Sequence, residues 1–566
     1  MRAGVGGGRV AWVETRERAM RRDADRPSSE RSPPGAAVVV AAALAALGAA
    51  GQVGAARAQW PGQTASEQPG LTRPASAQPA RPSTPRPPTP ATTPPPRPAG
   101  TPAPAVRPEI EPGPGLPKSG AVTLVARGVI PATLTDASGL SERLGSGTPH
   151  NRLGAMGSSI AYAGSGVNYL MLADRGAFDG AEAYRTRVQL ARLTMAQGWT
   201  QRLGAGWVQE LRFELLGTTL LVDGAGASLL GKSDEIGPPG SVRRLDPEGL
   251  ALLADRRMVI ADEYGPHLLV FGAAGRLERS IAVPGAMAVA RPSADAAQEL
   301  RENASGRAPN RGFEGVAVSG DGSVALAVLQ GPLIQDGGAQ GRYVRLLEVP
   351  LGPGDVAGGG AAPAGPAGAG VGERAGAAQG PGVGGVQYVY PLDEPGMLLT
   401  EAVWLGPGRY LVLEGDALPG AESRGKRVYV VETGGATDVT GLDRLDEGLM
   451  GRGGPGGAPV RPVRKLRLLD LLDPAWGLEA SQVPAKIEGM TLGPKLDAAR
   501  RTLVITSDND FKADEPTRVW MFALPASLVP EPTRFTAPLV AQFGVTPPEA
   551  PRRGGRPAQG RPQPRP

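Results

Sequence analysis

Between about residues 119 and 545 the chain alternates short apolar, β-branched runs with Gly, Pro, Asp and Asn. Such runs include TLLVD, MVIADE, LLVFG, VALAVLQ, RYLVLEGD, RVYVVE and TLVITSD. Short apolar runs bounded by turn formers predict strands. Helix-like patterning is confined to 295–304 (DAAQELRENA) and 181–194.

The strands come in pairs built to one plan. A turn with Gly and an acidic residue leads into a first apolar strand, and a second follows and ends in polar or acidic groups. PEGLALLADRRMVIADEYGPHL carries Glu248 and then Asp262-Glu263, while FEGVAVSGDGSVALAVLQGPL carries Glu314 and then Gln330. TEAVWLGPGRYLVLEGD has Glu401 with Glu414 to Asp416, and IEGMTLGPKLDAARRTLVITSDNDF has Glu488 with Asp508, Asn509 and Asp510. GSSIAYAGSGVNYLMLADRG is a variant with Ser159 in the Glu place and Asp174-Arg175 at its end. LRFELLGTTLLVDGAG is a weaker copy with Glu214 and Asp223. From 248 to 262 is 14 residues, from 314 to 330 is 16 and from 401 to 414 is 13, so the copies share a frame.

One hairpin cannot bury both apolar faces, so repeated copies must pack on one another. Radial packing of small antiparallel sheets makes a propeller, which leaves few strand edges exposed. The pattern therefore predicts an all-β fold, a β-propeller over 119–545, and the number of copies favours six blades. First strands would line the axis, and acids at equivalent positions would meet around one opening. The plainer alternative is that each Glu bonds its own turn. A turn, however, calls for Gly, Asn or Asp and has no specific need of Glu.

The flanks read differently. Residues 1–58 have the features of an export signal with a long Arg-containing leader: an apolar stretch at 36–50, then Ala56-Arg57-Ala58, with cleavage expected after Ala58. Met20 is an alternative start, and an uncleaved anchor is the alternative to cleavage. The apolar stretch is short for a membrane span, so no stable span is expected once the signal is removed. Residues 59–118 form a Pro-rich linker, extended and disordered. Residues 352–385 and 447–462 are expected to be disordered Gly/Pro inserts, and 546–566 a disordered Pro/Arg tail. The product is expected in the periplasm or outside the cell.

Composition narrows the chemistry. Aromatics make up only 4%, so the core must rest on Val, Leu, Ile and Ala. The net charge of +5 owes much to Arg in the tails, and no basic patch interleaves with aromatics, which argues against nucleic acid. There is no Cys, and only His150 and His267 are present, which excludes thiolate and multi-His metal sites. Neither a G-x-S-x-G elbow nor a phosphate-binding glycine loop occurs. Oligomeric state is not readable.

The segments DPEGLALLADRRMVIADEYGPHLLVFGAAGRL, RGFEGVAVSGDGSVALAVLQGPL, KIEGMTLGP, LVITSDNDF and YLMLADRG resemble the phytase-like family, known for an "esterase-like activity of phytase". The resemblance spans roughly 120–545. It implies an exported β-propeller with phosphoester-hydrolase-like activity and a small phosphorylated substrate. The chain departs from the family at Ser159 and at Gly415.

Clustered carboxylates repel one another and need a proton or a cation. With these residue types the ligands are oxygens, which suit a divalent cation, Ca²⁺ ahead of Mg²⁺, although spacing does not separate the two. Asp174, Asp262, Asp508 and Asp510 are the expected metal ligands. Glu248, Glu263, His267, Glu314 and Glu488 are the expected acid–base groups. Arg175, Arg311 and Lys486 lie beside the acidic turns and could bind phosphoryl oxygens, as could Tyr264. Two rivals stand beside hydrolysis: a propeller that only binds a ligand or partner, and acids that merely tie blades together.

Overall fold

A computed structural model describes residues 122–196, 201–204, 206–238, 241–352, 385–452, 457–531, 533–536 and 539. The segments expected to be an export signal and a linker, most of the 352–385 insert and the expected C-terminal tail lie outside these residues.

Strand β1 (Thr123–Ile130) precedes five groups of antiparallel strands, hydrogen-bonded as one nine-stranded and three four-stranded sheets; in the large sheet Ala126 and Arg127 of β1 pair in parallel with Gln209 and Glu210, which joins the first group to the fifth. The first contains β2 (Ser159–Tyr162), β3 (Asn168–Leu172), β4 (Arg187–Met195) and β6 (Gly206–Leu220), with β5 (Gln201–Leu203) paired to β6 as a hairpin. The second contains β7 (Pro247–Leu252), β8 (Met258–Asp262), β9 (His267–Phe271) and β10 (Leu277–Ile281). The third contains β11 (Phe313–Val318), β12 (Val324–Leu329), β13 (Tyr343–Pro350) and β14 (Val386–Pro391). The fourth contains β15 (Leu398–Gly406), β16 (Arg409–Gly415), β17 (Lys426–Glu432) and β18 (Arg464–Asp470). The fifth has β19 (Ile487–Lys495), β20 (Arg500–Ser507) and β21 (Thr517–Pro525), and takes its outer strand from the other end of the domain. There β1 pairs with β21 from Ile130 opposite Thr517 to Thr123 opposite Ala523.

The first strands touch in a closed circle: β2 with β7, β7 with β11, β11 with β15, β15 with β19 and β19 with β2. The apolar core follows that circle. Leu170, Val188, Ile260 and Phe271 pack between the first two sheets, and Val259, Leu326, Val344 and Val412 continue through the third and fourth. Leu411, Val430, Leu503 and Phe522 join the fourth to the fifth, and Ile160, Tyr169, Val504 and Met521 return to the first. This is the expected propeller; among the described residues five first strands make the ring. The supposed copy LRFELLGTTLLVDGAG is largely β6, which runs beside β4 as the fourth strand of the first sheet.

Two further expectations are corrected. Residues 187–194, expected within a helix, lie in β4, because β3 and β6 pair with it on both sides and fix it as a central strand. In the second insert, Glu447–Arg452 is a short helix whose Glu447 accepts a hydrogen bond from Tyr343 Oη at 2.7 Å. The other expected helix forms at Ala296–Glu302, where Asp295 caps its start by accepting from Gln298 N at 2.7 Å.

The recurrent Glu-Gly dipeptide has a steric cause. A Cβ on Gly249 would lie 2.8 Å from Gly315 Cα, and one on Gly315 would lie 2.6 Å from Glu401 Cα. In the second and third sheets the first strand therefore approaches its neighbour too closely at the axis for a side chain at that position.

Candidate functional site

The start of each first strand lies next to the end of the second, since the two run antiparallel. One end of the propeller thus gathers Glu248, Glu314 and Glu488 with Asp174-Arg175, Asp262 to Tyr264, Gln330 and Asp508 to Asp510. A bulge aims each glutamate. Pro247 pairs with Asp262 and Gly249 with Ala261, leaving Glu248 unpaired; Phe313 and Gly315 likewise bracket Glu314. Pairing of Ile487 with Ser507 and of Met490 with Ile505 skips Glu488 and Gly489. The extra residue of a bulge re-aims its side chain.

The fourth sheet breaks this rule. Leu399 pairs with Glu414 and Glu401 with Leu413, so the skipped residue is Thr400. Thr400 therefore holds the place that the sequence pattern assigns to Glu401. The Glu401 carboxylate accepts from Ala402 N at 3.0 Å, from Val316 N at 3.3 Å and from the Ser159 hydroxyl, a bond that ties the first sheet to the fourth. Burial pushes its carboxyl well above the usual range.

Two acidic groups stand at this mouth, all of their members buried except the half-buried Asp510. Asp174, Asp508 and Asp510 form one, and Asp246, Glu248 and Glu263 the other; within each, carboxylate oxygens lie within 4.8 Å of one another. Lys486 serves the first: its Nζ is 2.7 Å from Asp510, 3.4 Å from Glu488 and 3.5 Å from Asp508. Arg175 serves the second, with Nη1 3.2 Å from Glu263 Oε2 and bonded to Asp246. Gln330 Nε2 donates to Glu314 Oε1 at 2.5 Å, and its own oxygen accepts from Arg311. These few cations and amides do not satisfy the acids. Glu263 Oε1, Glu314 Oε2, Glu488 Oε2 and Asp508 Oδ1 are buried without any hydrogen-bond partner.

Crowding and burial act together on these groups. Burial raises Glu263 to about 7, with Asp246 adding to the shift, and raises Glu488 to about 8 against the opposing pull of Lys486. Burial, then neighbouring carboxylates, hold Glu248, Glu314 and Asp174 well above the usual carboxyl range. Asp510 goes the other way: burial raises it, but Lys486 and Lys512 outweigh burial and hold it at about 2.

Of the residues singled out in the sequence, Asp174, Asp508, Asp510, Glu488 and Lys486 meet on one side, and Glu248, Glu263 and Arg175 on the other. Glu314 and Arg311 reach the mouth through Gln330. Asp262 does not join either group. Its oxygens accept from Asp246 N at 2.8 Å, Gly265 N at 3.0 Å and His267 Nδ1 at 2.7 Å, so it shapes the loop and orients His267. Tyr264 Oη donates to Gly231 O at 2.8 Å, and its ring packs under Arg244 at 4.5 Å. Asp246, which the sequence reading passed over, completes the second group.

The opposite end of the axis is different in kind. A cavity of about 110 Å³ opens there, lined by Tyr162, Leu252, Val318, Trp404, Leu492 and Phe535. It lies farther along the same first strands than the acids.

The chain matches the family described as "Phytase-like: Esterase-like activity of phytase" over residues 151–511, more than half its length. It is 28% identical over 279 residues to an "Uncharacterized secreted protein" of Arthroderma benhamiae, a match covering 40% of this chain and 52% of that protein. The chain thus spans about half the length of that relative. Among solved structures it is similar to a GH43 beta-1,3-galactosidase, with a TM-score of 0.32 and 11% identity over 69% of this chain and 94% of that one. It is also similar to the beta-propeller domain of Myceliophteria thermophila Cps50 (Swd1), with a TM-score of 0.21 and 12% identity over 64% and 82% of the two chains.

Proposed function

Because the chain belongs to the phytase-like family, we propose that it is an exported, metal-assisted phosphoester hydrolase whose chemistry resides at the acidic mouth. The observation that supports this best is the set of four buried carboxylate oxygens without partners, beside one guanidinium and one ammonium. Hard oxygen donors of this kind suit a divalent cation, Ca²⁺ ahead of Mg²⁺. Asp174, Asp508 and Asp510, or Asp246, Glu248 and Glu263, would hold it. A bound cation polarises a phosphoryl oxygen and lowers the pKa of a coordinated water.

The side chains have complementary tasks. In the metal-free mouth Glu263, raised to about 7, and Glu488, raised to about 8, hold protons near neutral pH that an entering cation would displace. Arg175 and Lys486 orient phosphoryl oxygens, Arg175 with its planar fork and Lys486 as a point charge. Asp262 holds His267, whose side chain is 31% exposed and so available to carry a proton to solvent. Arg311 and Gln330 fix the Glu314 carboxylate. Export is supported by the apolar stretch at 36–50 with Ala56 to Ala58, and by the secreted description of the Arthroderma relative. Among the described residues no helix is long and apolar enough to cross a membrane.

The test is turnover of phosphomonoesters, phosphodiesters and phytate by the full chain, with Ca²⁺, with Mg²⁺ and after chelation. Hydrolysis that depends on the cation and falls at least a hundredfold in Glu263→Gln supports the reading. Absence of turnover under every metal rejects it. One observation favours a second reading, a propeller that binds without catalysing: Arg175, Arg311 and Lys486 are all already bonded to groups of the mouth. That reading expects cation-dependent stabilisation with no hydrolysis of any of these esters.

A further inference from the structure

The two acidic groups at the mouth are separate constructions. One is carried by the first and fifth sheets, through the chain following β3 and β20. The other is carried by the second sheet alone, through the residue before β7, the bulge within it and the exit of β8. Each has its own resident cation, Lys486 for the first and Arg175 for the second. Each also has its own unsatisfied oxygen, Asp508 Oδ1 in the first and Glu263 Oε1 in the second.

Two more carboxylates at the mouth lack a full set of partners. Glu488 Oε1 shares Lys486 with Asp508 and Asp510, which leaves its Oε2 buried and unpartnered at the first group. Glu314 is fixed by Gln330 through Oε1, and its Oε2 is buried and unpartnered between the groups, its charge opposed by Glu248 and Glu263 of the second and by Glu488 of the first. Both residues are over nine-tenths buried, at 4% and 2% exposure. One monovalent side chain cannot balance three or more carboxylates, and buried charge without compensation is costly. Ligand oxygens about 2.4 Å from a common Ca²⁺ lie at most about 4.8 Å apart, the spread found within each group.

We propose that the mouth holds two hard divalent cations rather than one: the first in Asp174, Asp508 and Asp510 with Glu488, the second in Asp246, Glu248 and Glu263. This rests on the reading that the mouth binds a cation at all, and it fixes the number and the ligands. Cation entry draws Lys486 and Arg175 away from their carboxylates, which frees both for a ligand anion.

The experiment is equilibrium dialysis of the chelator-treated full chain against Ca²⁺ in 150 mM KCl as background salt, with bound metal measured by atomic emission. The expected result is two Ca²⁺ per chain. Asp510→Asn leaves one, Asp246→Asn leaves one, and the double variant leaves none. Circular dichroism confirms folding, and Asp508→Asn or Glu263→Gln substitutes for a variant that does not fold. One ion or none in the wild type, or loss of both ions in either single variant, overturns the proposal. Two bound ions without phosphoester turnover leave it standing and remove the hydrolase reading. Turnover with one bound ion does the reverse.

Discussion

At the residue scale, the mouth is governed by carboxylates that have lost water and gained too few partners. Glu314 states the problem most simply: one oxygen is held by Gln330, the other has nothing, and Glu263 and Glu488 stand near enough to oppose its charge. Replacing Glu314 by Gln keeps the shape and removes the charge. Without divalent metal at pH 8, the variant should be more stable than wild type by on the order of 1–2 kcal/mol, read from urea midpoints. With saturating Ca²⁺ the order should reverse. Equal stability of the two proteins under both conditions would show that Glu314 feels neither its neighbours nor a cation. Glu248, Glu314 and Glu488 were legible in the sequence because each recurs ahead of a strand and a Gly. Asp246 was not, although its place two residues before Glu248 is the place of Lys486 before Glu488. A pattern that tolerates both signs of charge conceals itself from a search for repeated acids.

At the element scale, the first strand of the second and third sheets has to do two things: approach its neighbour closely and aim one side chain at the axis. The bulge does the second and the following glycine permits the first. Gly315→Ala sets a methyl against Glu401 Cα and Ala402 N, which are backbone atoms and cannot swing away. A loss of about 1–3 kcal/mol is expected. Gly285→Ala, where the new methyl meets nothing within 4 Å, serves as the control and should stay within about 0.5 kcal/mol. Similar losses in both would mean that close approach is not what the glycine serves. Strand pairing was readable from apolar runs and turn formers, yet bulge position was not. It depends on which residue the partner strand skips, and so TEA resembled FEG while being shifted by one. The stretch 181–194 misled for a related reason: its polar and apolar residues fit either periodicity, and pairing on both sides decided for a strand.

At the scale of the whole molecule, closing the ring is what creates the acidic mouth, because acids from sheets far apart in the chain must be desolvated together. The 15 residues of β6 read as a separate hairpin when only local pattern was available. Folding therefore carries an electrostatic cost, and pH should reveal it. Glu263 moves from the ordinary 4.5 to about 7 and Glu488 from 4.5 to about 8, both upward. Between about pH 4.5 and 8 the folded chain keeps protons that the unfolded chain has released. Stability rises with pH only where the unfolded state holds more protons, so here it must fall as pH rises through that window. Asp510, held at about 2, has the opposite sign, but its contribution is lost only as pH drops below the ordinary 3.8 and so leaves this window untouched. The chelated full chain should thus melt at a lower temperature at pH 8 than at pH 5. Millimolar Ca²⁺ should restore most of the difference at pH 8 and little at pH 5, where protons already occupy the carboxylates. A metal-free melting temperature that rises from pH 5 to pH 8 would mean that these acids are paired in solution and that the ring closes without the charge burden its geometry implies.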